Sequence, residues 1–160
     1  MGDVPSSARN APLVLLSGGG GGARLAAGLS QAPAERPLLV VTNTGDDFEH
    51  CGLSICPDTD SVLYAVSKTI DPQRGWGRAE ESWSVFEALK NLGGPDWFQL
   101  GDKDLATHFI RTSMLNDGKS LTDITAHIAS RFGIKSNIFP MSDNLVSTFI
   151  KTDRLSLIHI

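Results

Sequence analysis

Five consecutive glycines, Gly18 to Gly22, follow an apolar run, Leu13-Val14-Leu15-Leu16, and a single serine, Ser17. Behind them Ala23-Arg24-Leu25-Ala26-Ala27-Gly28-Leu29 has the composition and spacing of a helix, so the stretch reads as strand, loop and helix. Glycines at that junction let backbone N–H groups approach an anion at a helix N-terminus, which makes the loop a phosphate cradle. Gly18, Gly20 and Ala23 fit the G-x-G-x-x-G/A dinucleotide fingerprint, whereas the Gly-Lys-Ser/Thr ending of a P-loop is absent. The bland alternative is a merely flexible glycine loop, and the flanking strand and helix argue against it.

A second apolar run, Leu38-Leu39-Val40-Val41-Thr42, arrives after the helix, so the two strands form a parallel, right-handed βαβ unit and the fold class is α/β. Ligands of open α/β sheets bind at the carboxyl ends of the strands, where this chain reads Asn43-Thr44-Gly45-Asp46-Asp47. A dinucleotide dehydrogenase places a lone acidic ribose anchor near that tip. Here Asn43 stands there and the acids come as a cluster, which weakens an NAD-dependent reading. Pro57-Asp58-Thr59-Asp60-Ser61 then opens a helix. Capping accounts for one aspartate, whereas four, Asp46, Asp47, Asp58 and Asp60, can converge near the glycine loop and hold Mg²⁺ beside bound phosphate.

Further along, Trp83, Phe86 and Leu89 give the segment Glu80 to Leu92 an apolar helical stripe that stops at Gly93-Gly94, a scaffold element. Gly75-Trp76-Gly77 holds an aromatic that either stacks on a flat ring or fills the core. In a helix from Asp104 to Leu115, the residues Asp104, His108 and Arg111 share one face, either presented to a ligand or solvated with a salt bridge. Ser120 and Asp123 cap a helix running to Phe132-Gly133, and Ile134 to Phe139 is a strand ending in the polar loop Pro140-Met141-Ser142-Asp143.

Net charge of −4 over 160 residues advertises no basic face for nucleic acid or an anionic membrane. No apolar run reaches membrane-spanning length and no secretory layout opens the chain, so a cytoplasmic protein is expected. Cys51 and Cys56 have no further cysteine partners and read as buried, reduced thiols. Residues 1–11 are small, polar and without periodicity, a disordered leader.

These blocks together carry a resemblance. Ser17 to Leu25, Asn43 to Asp47, Pro57 to Tyr64, Gly75-Trp76-Gly77, Gly101-Asp102-Lys103-Asp104 with Ala106-Thr107-His108, and Pro140 to Asp143 occur in the order seen in the 2-phospho-L-lactate transferase family of coenzyme F420 biosynthesis. The resemblance implies a Rossmann-like three-layer α/β/α fold with a mainly parallel sheet, dimeric in the family, of which residues 12–153 form the N-terminal part. It implies transfer of a phospholactyl, phosphoenolpyruvyl or similar group from a guanosine diphosphate ester to the deazaflavin acceptor 8-hydroxy-5-deazariboflavin, with GMP leaving and Mg²⁺ as cofactor.

Carried over residue by residue, Asp46 and Asp58 match the metal carboxylates. Asp58, Asp60 and Lys103 are the candidate catalytic groups. Gly18, Gly19, Gly20, Gly21, Gly22, Asn43, Thr44, Asp60, Lys103, Asp104, His108, Ser142 and Asp143 are the candidate ligand-binding set. Three positions depart from the family. Gly20 replaces a usual threonine, Lys103 a usual arginine and Asn144 a common aspartate, and a lysine supplies a point charge rather than a bidentate fork. A non-catalytic, nucleotide-sugar-binding regulator of the gluconeogenesis-factor type would share the glycine loop but lack the Gly-Asp-Lys-Asp and Gly-Trp-Gly blocks. From residue 154 the resemblance stops and 154–160 reads as a non-native tail, so a truncated and by itself inactive chain is expected.

Overall fold

A computed structural model of the chain describes residues 11–33, 36–150 and 158–159. The expected leader therefore lies outside the described residues except for Ala11, and the expected tail outside them except for the backbone of 158–159. Strand β1 (Leu13–Ser17), helix α1 (Gly19–Gln31) and strand β2 (Leu38–Thr42) build the expected βαβ unit. A hairpin of β3 (Phe48–His50) and β4 (Leu53–Ile55) follows, then helices α2 (Pro57–Val66), α3 (Ser84–Asn91), α4 (Asp102–Asn116) and α5 (Leu121–Arg131). Strand β5 (Asn137–Pro140) comes next, and the backbone of β6 (Phe149–Ile150) pairs antiparallel with β7 (Ile158–His159).

The main sheet has the order β1-β2-β5 and is parallel throughout, with Leu15 beside Val40 and Val40 beside Ile138. The fold is α/β with a mainly parallel sheet, as the apolar runs and their spacing require. Period-two alternation sends Leu15, Leu38, Val40 and Ile138 to one face, where α1, α2 and α5 cover them. Ala23 and Ala26 are fully buried there, and their small side chains bring α1 close to Val62 and Leu63 of α2. The alternate residues of the same strands face the other way: Val14 is 53 % exposed and Leu16 77 %.

A second, smaller core joins the hairpin to α4 through Leu53, Ile55, Leu100 and Leu105, with Phe48 and Phe98 packed on it. Three-residue strands leave too short an alternation to be read from sequence, so this hairpin was not expected. Its turn holds Cys51 at φ 52° and exposed, which corrects the expectation of two buried thiols; Cys56 is buried.

Two helix boundaries also differ. The expected helix from Glu80 starts only at Ser84, because Glu80 sits at φ 57° and the Glu81 carboxylate is spent capping α4, accepting from the N–H groups of Lys103 (2.7 Å) and Asp104 (2.9 Å). That cap lets α4 begin at Asp102, two residues before the expected start. The Ser120 cap on α5 forms as expected, its hydroxyl accepting from Asp123 N–H at 3.0 Å. Strand β5 begins at Asn137 rather than Ile134 because the chain first turns through Gly133 at φ 70°. Among the described residues no helix is long and apolar enough to cross a membrane.

One glycine of the run is fixed by packing. A Cβ on Gly22 would stand 2.4 Å from Ser17 Oγ and 3.1 Å from Ser17 Cα, whereas one on Gly21 meets nothing within 4 Å. Gly22→Ala is expected to cost about 1–3 kcal/mol through overpacking of helix on strand. Gly21→Ala should be neutral or stabilising by up to about 1 kcal/mol. Urea unfolding of the two variants checks the difference, which equal midpoints would refute.

Candidate active site

Strands β1 and β2 end side by side, so the glycine loop and the loop after Thr42 share the carboxyl edge of the sheet, and the N-terminus of α2 comes up against both. Gly18 is the extended N-cap of α1, and Gly19 takes φ 62°, a conformation that glycine adopts without strain. The Gly19 N–H donates to Asp58 Oδ1 at 2.6 Å, and a Cβ on Gly18 would lie 3.4 Å from Asp58 Oδ2. The first-turn N–H groups of α1 have no intrahelical acceptor, and a Cβ at Gly20 or Gly21 would meet open space. The cradle is accessible.

Asn43 draws the acids together. Its amide Nδ2 donates to Asp58 Oδ2 at 3.0 Å and to Asp46 Oδ2 at 3.3 Å, while its Oδ1 accepts from Gly45 N–H at 2.9 Å. Asp46 and Asp58 thus face one point beside the glycine loop, and Thr44 is buried next to them with its hydroxyl unpartnered among the described residues. Among the described residues no third His, Cys, Asp or Glu joins the two carboxylates, a donor set that suits Mg²⁺, which commonly takes one or two carboxylates and completes its shell with water and phosphate oxygens.

The other two aspartates of the expected quartet go elsewhere. Asp47 turns inward beside Cys56, and burial pushes its carboxyl up to about 7 against an opposing hydrogen bond from that thiol. Asp60 is 5 % exposed and held by Arg111, whose Nη1 donates to Oδ2 at 3.0 Å and whose Nη2 donates to Oδ1. The convergence expected of four acids is therefore limited to two, because a buried cation claims Asp60 and the interior claims Asp47.

The row Asp104, His108, Arg111 is neither solvated nor an exposed face. His108 and Arg111 are each 1 % exposed, and both carboxylates that neutralise the row lie against it. Burial disfavours the Asp104 charge, but hydrogen bonds from His108 and from the Tyr64 hydroxyl (2.5 Å to Oδ1) outweigh it and hold the carboxyl below its usual range. Burial likewise works against the Arg111 charge, and Asp60 overcomes it, so the guanidinium is held charged more firmly than usual. Asp60, Asp104 and His108 line a cleft of about 230 Å³ that also presents Tyr64, Phe98 and the half-exposed Trp76, itself under the Arg74 guanidinium at 5.2 Å.

The remaining candidates are placed as follows. Lys103 points its Nζ at the Ala79 carbonyl (3.2 Å) and Glu80 (3.6 Å). Asp143 caps α5 by accepting from Thr122 N–H at 2.7 Å, and Ser142 Oγ accepts from Asn144 N–H at 3.0 Å. Asn43 as the bridge between Asp46 and Asp58, and Arg111 as the partner of Asp60, were not legible beforehand as roles. The i, i+7 spacing of Asp104 and Arg111 was the only signal.

Breaking a buried pair by removing one partner leaves an uncompensated charge. Arg111→Met should destabilise the chain by about 3–5 kcal/mol, and adding Asp60→Leu should restore much of that loss. Chemical unfolding of the single and double variants measures it, and additive losses would refute the coupling.

The sequence model of the family described as 2-phospho-L-lactate transferase CofD matches residues 13–159. A 2-phospho-L-lactate transferase of Methanosarcina mazei is 46% identical over 140 residues, covering 88% of this chain and 46% of that protein. A phosphoenolpyruvate transferase of Streptomyces avermitilis is 42% identical over 142 residues, covering 88% and 44%, and one of Mycobacterium tuberculosis is 38% identical over 152, covering 86% and 46%. The chain spans about half the length of these curated relatives. A crystal structure of a UPF0052 family protein from Bacillus halodurans superposes with a TM-score of 0.54 at 14% identity, over 94% of this chain and 45% of that one, a likeness of fold alone. With the glycine cradle, the bridged acids and the family match in agreement, the chain belongs to the 2-phospho-L-lactate transferase family.

Proposed function

We propose that the chain carries the acceptor-side and metal-side half of a transferase that joins a phosphorylated three-carbon acid to a deazaflavin. The observation that carries this reading is the Asn43 bridge, which sets Asp46 and Asp58 together beside the Gly19 N–H at the carboxyl edge of the sheet. The names of the relatives support a donor derived from lactate or phosphoenolpyruvate. The donor is a guanosine diphosphate ester of the acid, and the acceptor is 8-hydroxy-5-deazariboflavin.

In this reading the terminal ribityl hydroxyl attacks the phosphorus that bears the acid. A new P–O bond forms, the bond to the bridging oxygen breaks, GMP leaves with that oxygen, and the hydroxyl proton is released. Such a transfer depends on alignment and charge neutralisation more than on covalent help from the protein. Mg²⁺, when held by Asp46 and Asp58, supplies the positive charge that phosphate oxygens need as GMP departs. The open first turn of α1 receives the diphosphate through backbone N–H groups. Asp58 fastens that turn to α2, so the cradle and the carboxylates keep one geometry. The cleft lined by Tyr64, Trp76 and Phe98 accommodates the planar acceptor ring. A dinucleotide dehydrogenase is disfavoured, since the tip of β2 offers Asn43, already engaged with both aspartates, where a ribose anchor would stand.

Asp46→Asn and Asp58→Asn, assayed in a chain of the relatives' full length with the deazaflavin and a guanylylated acid, should each raise the Mg²⁺ concentration needed for turnover and lower the maximal rate. An unaltered Mg²⁺ requirement in both, with a lower melting temperature at Asp58, would instead mark a loop acid and a helix cap.

Lys103 is tested separately. Lys103→Ala should weaken acceptor binding in fluorescence titration and Lys103→Arg should hold or improve it, since the guanidinium restores the family's planar fork. Equal affinity in the alanine variant would leave Lys103 as a tether to the Ala79 carbonyl and Glu80.

A further inference from the structure

Arg24 stands on α1 three residues after Gly21 and four after Gly20, so the three share one face of the helix. A helical side chain leans over the turn before it, which sends the Arg24 stem toward the first turn of α1. That patch is clear: Gly20 and Gly21 are exposed, and a Cβ at either meets nothing within 4 Å. The guanidinium reaches the segment between α2 and α3, where a Cβ on Gly75 would stand 3.0 Å from Arg24 Nη2. Gly75, at φ 74°, directly precedes Trp76, which lines the cleft.

A surface arginine is ordinarily solvated, and exposure alone asks for no explanation. Arg24 differs in lying against a neighbouring segment while making neither a hydrogen bond nor an ion pair among the described residues. Three cations on the cleft side are already engaged. Arg74 Nε donates to Asp71 Oδ2 at 3.0 Å, Lys103 Nζ donates to the Ala79 carbonyl at 3.2 Å, and Arg111 is gripped by Asp60. Arg24 keeps its planar fork of donors free, and such a fork meets a carboxylate through two parallel hydrogen bonds.

We propose that Arg24 binds the carboxylate of the three-carbon acid, holding it between the open first turn of α1 and Gly75. The proposal rests on the donor reading given above, in which the N–H groups of that turn and Mg²⁺ meet the diphosphate. The acid is joined to the phosphorus that the acceptor hydroxyl attacks, so it lies where the glycine cradle and the cleft adjoin. Its carboxylate is the charge of the donor that neither the cradle nor the metal answers, and Arg24 is a cation with free donors beside that junction. The consequence is specificity. A donor whose acid lacks the carboxylate leaves the guanidinium unpaired, and a site built to hydrogen-bond a substrate group discriminates strongly against the analogue without it.

Calorimetric titration of a chain of the relatives' full length, with acceptor omitted so that no transfer occurs, tests this with two donors. One is the guanosine diphosphate ester of lactate; the other is the ethyl ester of guanosine diphosphate, which keeps the diphosphate and loses only the carboxylate. The wild-type chain should bind the lactate ester about tenfold or more tightly than the ethyl ester. Arg24→Gln and Arg24→Ala should abolish that preference while holding the ethyl ester within about threefold of wild type, and Arg24→Lys should keep part of it. A folded glutamine or alanine variant that loses both esters equally assigns the arginine to the diphosphate and overturns the proposal, as does one that keeps the preference, the fold being checked by circular dichroism. Equal binding of the two esters by the wild-type chain overturns the proposal and leaves the donor reading standing. Binding of neither ester by the wild-type chain overturns the donor reading and the proposal with it.

Discussion

One carboxylate ties the carboxyl edge of the sheet together. Asp58, at the start of α2, accepts from the Gly19 backbone on one oxygen and from the Asn43 amide on the other. It thereby links the N-termini of two helices to the tip of β2 with two hydrogen bonds. Each connection is short because the residues around it are special: Gly19 takes the left-handed backbone, and Asn43 forms a local turn with Gly45. The helix dipoles favour this placement of negative charge, since the N-termini of α1 and α2 both point their partial positive ends at the same carboxylate. The sheet beneath is ordinary. What sets the chain apart is that a candidate site carboxylate is also the structural cross-link.

The second cluster obeys a different rule. Asp60, Arg111, His108, Asp104 and Tyr64 are taken out of water together, and the Coulombic gain of such a group only offsets its desolvation when every partner is well placed. An apolar core of equal volume would serve stability as well. The arrangement is also economical in sequence: a single helix, α4, contributes three of the five groups at spacings of four and three residues.

Much of the fold was legible because the signals were local. The five glycines, the two apolar runs and the Ser120 cap specify strand, loop and helix within a few residues. The acids after β2 and at the start of α2 were legible as a cluster, and the structure brings Asp46 and Asp58 together while sending Asp47 inward. What was not legible was distant in the chain. That Glu81 would abandon its own helix to cap α4, 22 residues on, depends on where two segments meet. That Arg111 would be buried against Asp60, 51 residues away, runs against the ordinary expectation that arginine stays wet. The short β3–β4 hairpin escaped because three residues carry no usable periodicity.

The empty space at Gly20 gives the loop an evolutionary freedom that its neighbour at Gly22 lacks. A side chain there would meet nothing within 4 Å, so a hydroxyl-bearing residue such as the threonine usual in the family can come or go without any core atom moving. The glycine run is thus divided into positions that answer to packing and positions that answer to chemistry. A change at Gly20 leaves the packing of helix on strand untouched, whereas one at Gly22 does not, so the two positions can diverge independently of each other.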